Sequence, residues 1–449
     1  MSNYVQKVLE DVIRRNPGEP EFHQTATEIL HSLEPVFEIH PEYEEAGLLE
    51  RFVEPERIIM FRVPWVDDSG KVQVNKGYRV QYNSAIGPYK GGLRFAPSVN
   101  LSIMKFLAFE QTLKNSLTSL PMGGGKGGSD FDPTGKSEAE VMRFCQSFMT
   151  ELYRHIGPSL DVPAGDIGVA AREIGYLFGQ YKRIKNVYEN GVLTGKGLSY
   201  GGSLIRPEAT GYGATYFFVE VLKHLKLNIK GMKFSLSGFG NVAWGAAQKI
   251  TQLGGKVITL SGPDGYVYIK DGLTQEMIDF MPVMNGWRHN KVSEFKDKFA
   301  QVDFIAGKKP WGNVDCDVCM PCATQNEIRI EDAKAIVAKG IKYLNEVANM
   351  PTTNEALEYL QNNKVLVCPS KAVNAGGVAT SGLEMSQNSM RLSWSAEEVD
   401  EKLQGIMRNI HEQILQATVE YKLGYNLVAG ANIAGFDKVA KAMMAQGCV

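Results

Sequence analysis

Residues 2 to 15, SNYVQKVLEDVIRR, carry Val5, Val8, Leu9, Val12 and Ile13 at three- and four-residue spacing with charges between them, which predicts an amphipathic helix. The period drops to two in RVQYN, residues 79 to 83, an alternating strand. It returns to a helical period in NLSIMKFLAFEQTLKNSL, where Gln111 and Lys114 stand three apart and share a face. LDVPAGDIG reads as a further strand and turn, with Asp166 just past Gly165 at an expected helix start. At residues 201 to 213, GGSLIRPEATGYG is dense in glycine, with Pro207 near the start of the helical TGYGATYFFVEVLKHL. A domain boundary is expected there. Beyond it, GMKFSLSGFGNVAWGAAQKI predicts a strand over residues 233 to 237, a glycine turn and a helix entered through small residues. A second strand, KVITLS, follows at residues 256 to 261. Together these form a βαβ unit.

The turn of that unit carries candidate chemistry. Gly238, Gly240 and Ala243 make a G-x-G-x-x-A pattern directly after a strand and before a helix, the setting in which backbone amides at a helix N-terminus receive a dinucleotide's pyrophosphate. Mere tight packing of strand on helix is the alternative. The second strand ends in LSGPDGY, which puts Gly262 at the usual acidic position and Asp264 two residues on. A carboxylate at Asp264 would repel a 2′-phosphate, and the turn holds no Arg or Lys, so NAD is expected over NADP.

Composition narrows the class. A chain of 449 residues, 44% hydrophobic, outgrows a single core and predicts about two or three domains. Its 48 basic and 50 acidic residues leave a net charge of −2, which offers no global field for nucleic acid or an anionic membrane. Any anion site must be local. The N-terminal helix is no secretory segment, and no stretch reaches the roughly 20 apolar residues of a membrane span, so a cytoplasmic protein is expected. Six cysteines do not make a disulfide scaffold at this length. Cys316, Cys319 and Cys322 form a C-x-x-C-x-x-C run, but as a strand VDCDVCM would turn positions 316 and 319 to opposite faces, which favours packing over a metal site.

PMGGGKGGSD, residues 121 to 130, sets Lys126 among five glycines. A phosphate-binding P-loop requires Ser or Thr after the lysine, and Gly127 stands there instead. Lys90, in GPYKGGLRF, has a similar setting. Singly, each lysine could be a solvated surface charge. Both are expected in glycine-rich turns, where the missing side chains let a small ligand approach the backbone, and clustered lysines suit a substrate with two carboxylates.

Read in order, PYKGGLRF, FEQTLKNSLTSLPMGGGKGG, PAGDIG, RPEATGYG, SGFGNVA, PCATQNE, EVANMPTT and SKAVNAGGVATSGLEMSQNS resemble the glutamate dehydrogenase family, in its short hexameric branch. The resemblance spans nearly the whole chain. It implies an α/β protein of two domains: a substrate and assembly domain at residues 1–201, rejoined by 425–449, and a Rossmann-like coenzyme domain at 202–424, with the active-site cleft between them. It further implies that Lys90 and Ser381 hold the side-chain carboxylate of glutamate and that Lys114 and Gln111 hold the α-carboxylate. Lys126 is then the proton acceptor, its pKa lowered beside Lys90 and Lys114, Asp166 handles protons on the substrate nitrogen, and the Gly165 carbonyl holds the ammonium. Thr210 and Asn374 would meet the nicotinamide end and Asn241 the pyrophosphate, although Thr210 could instead cap a helix and Asn374 a turn. Arg206 matches a position near the substrate side chain or an interdomain contact. No metal is implied. Phe239 and the aliphatic-to-cysteine changes at 316 and 319 depart from relatives, the first again favouring NAD.

Overall fold

The computed structural model describes residues 3–284 and 291–449. The predicted first helix forms over Asn3–Arg15; Val5, Val8, Leu9 and Val12 are buried, while Ile13 falls off the stripe and is exposed. Two sheets follow, each with its own helices, in an α/β arrangement of two domains.

The first sheet contains β1 (Arg57–Val66), β2 (Val72–Asn83), β3 (Tyr89–Phe95), β4 (Gly124–Ser129) and β5 (Asp161–Gly165), in the order β1-β2-β4-β3-β5. Strand β4 runs antiparallel to β2 and parallel to β3, and β3 runs parallel to β5. The helix Leu101–Leu117, capped by Asn100 Oδ1 accepting from the Ile103 N–H (2.9 Å), carries the chain from β3 to β4.

Here the structure corrects an expectation. Lys90 and Lys126 lie on strands β3 and β4, and the glycine-rich stretch around Lys126 is a fully buried strand, not a turn. Glycine is a poor strand former, so packing must require it. A Cβ on Gly91 would lie 1.6 Å from the Gly125 carbonyl oxygen, and one on Gly124 would lie 1.9 Å from Thr112 Oγ1 on the overlying helix. Asp166, too, lies in a tight turn closed by bonds between Asp166 and Val169, and the next helix begins only at Ala171.

The second sheet contains β6 (Lys233–Leu236), β7 (Lys256–Gly262), β8 (Gly265–Tyr268), β9 (Asp303–Ala306), β10 (Val318–Met320), β11 (Tyr343–Asn345) and β12 (Leu366–Cys368), ordered β12-β11-β10-β6-β7-β8-β9. The strands from β12 to β7 are parallel, and β8 and β9 are antiparallel. The predicted βαβ unit is β6, the helix Asn241–Gln252 and β7. Chain order reverses between β6 and β10, which makes that edge the expected ligand crevice of a doubly wound sheet.

The last helix, Leu427–Gln446, returns to the first half of the chain. Ile433, Phe436, Val439 and Ala440 join Phe52, Phe109 and Leu113 in one core, and Ser116 Oγ donates to the Gly435 carbonyl (2.8 Å). No described helix is long and apolar enough to cross a membrane.

Candidate active site

Strand alternation builds the first wall of the site. On β3, Leu93 and Phe95 enter the core, so Lys90, Gly92 and Arg94 share the opposite face. The register pairs Leu93 with Gly127 on one side and Gly165 on the other, which sets Lys126 and the Gly165–Asp166 corner next to Gly92. A Cβ on Gly92 would lie 2.8 Å from Asp166 Cβ and 3.3 Å from Lys126 Nζ, so this glycine keeps the site open. From the helix above, Gln111 and Lys114 point into the same space. These residues, with Arg206, Thr210, Asn349, Asn374 and Ser381 from the second half of the chain, line a cleft of about 520 Å³ between the domains.

Burial governs the lysines. Lys90 is fully buried, and its Nζ donates to the Val162 carbonyl (2.9 Å) and to Thr194 Oγ1 (2.7 Å). Desolvation drives its pKa well below the ordinary lysine value. Lys114 donates to Asn349 Oδ1 (3.0 Å), an atom that also accepts from Asn374 Nδ2 (2.9 Å), and burial brings its pKa down to about 8. Lys126 is lowered as well. Burial is the first cause and Arg94 and Arg79 add to it, while Asp166 opposes; the sequence argument had the direction but credited Lys90 and Lys114.

Asp166 is held from both sides. Lys126 Nζ lies 3.1 Å from Oδ1, and Arg94 Nε donates to Oδ2 at 2.7 Å. Burial alone would raise this carboxyl, but the two cations hold it well below the usual carboxylate range. Arg94 stands inside PYKGGLRF but went unread. So did Arg79, which with Asp161 forms a wholly buried ion pair bracing β2 against β5. Gln111, which lines the cleft, donates one N–H of Nε2 to Asn115 Oδ1 (2.7 Å), and Arg206 Nε donates to Ser381 Oγ (3.2 Å).

The second wall fits a dinucleotide. Gly238 has φ of 77°, the left-handed conformation that favours glycine, and Gly240 precedes the helix that Asn241 begins. Ala243 is buried beneath that turn. Gly238, Phe239 and Gly240 border a second cavity of about 390 Å³ with Ser261, Gly262, Pro263 and Trp311. In the cleft, Asn374 Oδ1 is buried without a hydrogen-bond partner among the described residues, an orphaned acceptor that a carboxamide N–H would satisfy. Thr210 lies inside its helix, after the Glu208 cap position, and lines the cleft. Asp264 does not border either cavity. Its oxygens accept from the Val292 and Ser293 amides (2.9 and 3.1 Å), because the turn points the side chain at the start of the helix Ser293–Lys298. Lys309, distant in sequence, does border the second cavity.

The cysteine geometry also differs from expectation. Strand β10 begins only at Val318, so Cys316 precedes it, and its thiol meets that of Cys319, whose pKa is pushed up by that contact and by burial. All six cysteines are unpaired, and no group of three or more His, Cys, Asp or Glu able to hold a metal occurs among the described residues.

Comparison with known proteins extends this picture. A family model described as Glutamate/Leucine/Phenylalanine/Valine dehydrogenase matches residues 201–447, and one described as Glu/Leu/Phe/Val dehydrogenase, dimerisation domain, matches residues 55–183. An NAD-specific glutamate dehydrogenase of Clostridium symbiosum is 64% identical over 449 residues, covering 100% of this chain and 99% of that protein. An NADP-specific glutamate dehydrogenase of Giardia intestinalis is 56% identical, with 99% of each chain covered. A solved structure of a glutamate dehydrogenase superposes with a TM-score of 0.98 at 63% identity over the full length of both chains.

Proposed function

The chain belongs to the Glu/Leu/Phe/Val dehydrogenase family, and from that membership we infer that it is a glutamate dehydrogenase. It catalyses reversible oxidative deamination of L-glutamate to 2-oxoglutarate and ammonia, with NAD preferred over NADP. The observation that carries the substrate reading is the gathering of the buried ammonium groups of Lys90 and Lys126 with the half-buried Lys114 and Arg206 along one cleft. Lys126 is already paired with Asp166, but Lys90 and Lys114 donate only to neutral oxygens, and cations so placed await anions.

In the proposed complex, Lys90 and Ser381 hold the side-chain carboxylate, with Arg206 alongside Ser381. Lys114 and Gln111 hold the α-carboxylate, and the Gly165 carbonyl accepts from the ammonium. Two separated anchors fix the α-carbon, and that positioning supplies much of the catalysis. Gly238, Gly240, Asn241 and Ala243 would surround the coenzyme diphosphate, with Thr210 and Asn374 at the carboxamide; bound there, the coenzyme supplies the hydride acceptor. Asp264 acts through its charge beside the turn, since its oxygens are engaged by backbone amides.

Lys126, its pKa lowered by burial, accepts a proton from the water that adds to the substrate's α-carbon. Asp166, kept ionised by Lys126 and Arg94, takes and returns protons at the substrate nitrogen. Closure of the cleft excludes bulk water while these transfers occur. The domain limits that suit this reading are residues 1–201 with 425–449, and 202–424. A homohexamer in the cytoplasm is the proposed working form; Met60, Val72 and Val74, exposed on the β1–β2 ribbon, supply apolar surface for assembly.

Reduction of coenzyme in the presence of L-glutamate tests the reading. Turnover with NAD at least about tenfold more efficient than with NADP is expected. Absence of turnover with either coenzyme would reject the activity, and equal or better use of NADP would reject the coenzyme preference.

A further inference from the structure

Lys90 rests on a segment to which the sequence motifs assign no part. Both of its hydrogen-bond acceptors, the Val162 carbonyl and Thr194 Oγ1, are neutral, so they aim the ammonium without cancelling its charge. Thr194 belongs to the short connection Leu193–Lys196. Its N–H donates to the Pro163 carbonyl on β5 (3.0 Å), and the residues after it are gripped by the coenzyme domain. Glu384, on the helix Gly376–Met390, accepts from the backbone N–H of Gly195 (2.9 Å) and Lys196 (3.4 Å) and from Lys196 Nζ (2.7 Å). Lys196 Nζ donates in turn to the Leu193 carbonyl (2.5 Å) and Asn388 Oδ1 (2.9 Å). The two side chains are both 0% exposed.

A buried ion pair is weak as a source of stability, because desolvation offsets most of the attraction; its better-attested use is to specify one arrangement over others. Here the arrangement specified is the path of the chain through Thr194. Ser381 stands one helical turn before Glu384, so the helix that carries one proposed ligand of the side-chain carboxylate also anchors the support of the other. Of the charged groups acting on Lys90, the cations are Arg79, Arg206 and Lys196, and the anion is Glu384.

We propose that the Lys196–Glu384 pair is a positioning element for substrate specificity: it pins Thr194 against Lys90 and thereby aims the Lys90 ammonium at the substrate's distal carboxylate. The inference rests on the reading of Lys90 as that carboxylate's partner. It assigns to Lys196, Glu384 and Thr194 an effect on glutamate that an amino acid lacking the distal carboxylate does not feel.

The test is steady-state kinetics of the full-length enzyme with L-glutamate and with L-norvaline, whose side chain ends in a methyl group. In the near-isosteric double variant Lys196→Met/Glu384→Gln, kcat/KM for glutamate should fall at least about tenfold, mainly through KM, while norvaline changes by less than about threefold. Thr194→Val should give the same split and Thr194→Ser should restore glutamate use. Combining Thr194→Val with the double variant should cost little beyond either alone, because the changes act through one contact. Equal losses on both substrates, no loss, or multiplying losses in the combination would overturn the proposal. If the double variant does not fold, Lys196→Gln, which removes the charge but keeps a donor to Glu384, is read for the same split between the two substrates, and equal losses or no loss there would overturn the proposal. Lys90→Leu serves as the control: if it fails to separate glutamate from norvaline, the reading of Lys90 is what fails.

Discussion

At the scale of single residues, the site depends on proton inventory. Lys126→Ala removes the proposed proton acceptor and should lower kcat by about 10² or more while NADH binding, followed by fluorescence titration, stays near wild type. Retained turnover would reject that role. Arg94 is the fixed cation beside the Lys126–Asp166 pair, and its field lowers the Lys126 pKa. Arg94→Met should therefore raise that pKa and move the ascending limb of the pH–kcat/KM profile for glutamate oxidation to higher pH; Arg94→Lys should leave it near its original place. An unmoved limb with uniformly reduced rate would mean that Arg94 only packs. Lys90→Leu should cost glutamate about 10² in kcat/KM and norvaline far less, and equal losses would count against a carboxylate partner at Lys90. The identities of these lysines were legible because glycine-flanked lysines in the ordered motifs are unusual. Arg94 was not legible: although it stands in PYKGGLRF, an arginine in a strand does not announce its partner, and its importance arises from the β3–β5 register that brings Asp166 beside it.

At the scale of elements, periodicity located most helices and strands but misjudged the glycine runs. GGKGGS has no alternation of apolar and polar side chains, so pattern and propensity both point to a turn. It is a strand because its neighbours leave no room for anything larger. Gly91→Ala would place a Cβ 1.6 Å from the Gly125 carbonyl oxygen and should destabilise the fold by about 3 kcal/mol or more, read as a lowered urea midpoint, with activity lost because both Lys90 and Lys126 shift. Stability within about 0.5 kcal/mol of wild type would show that the strands can separate without cost. The βαβ unit was read almost to the residue, since a strand, a glycine turn and an amphipathic helix are local features. Cys316 and Cys319 were misplaced for the converse reason: where β10 begins is decided by its pairing with β6 and β11, not by the cysteines' spacing.

At the scale of the molecule, charges join the two domains. Lys371 of the coenzyme half lies 3.8 Å from Glu28 of the first, and Glu346 sits in the same interior neighbourhood with its Oε2 accepting from the Ser370 N–H (3.2 Å). Burial, with Glu28 adding to it, raises the Glu346 pKa to about 7. Its unfolded value is 4.5, so the native state keeps a proton that the unfolded chain has released between those values. The resulting stability is present below pH 4.5 and lost as pH rises through about 7, a loss on the order of 3 kcal/mol. Glu346→Gln, permanently neutral, should gain on wild type in urea unfolding between pH 5 and pH 8. No change in the difference between the two proteins over that range would show that Glu346 ionises as readily in the native state as in water.

The division between chain and fold has a physical basis. Local order alone determined the βαβ unit and its glycine turn at Gly238–Ala243, because each depends on residues near one another in sequence, while the two-domain α/β class and the grouping of the lysines were implied by the succession of motifs along the chain. The tertiary structure decided which groups face one another. It turned Asp264 away to cap a helix, set Arg94 on Asp166, brought Asn349 to Lys114 and enclosed Lys196 with Glu384. Those outcomes depend on register and domain packing between residues as far apart as 235 positions, and the energies that select them, desolvation and charge pairing, exist only once the surrounding chain has excluded water.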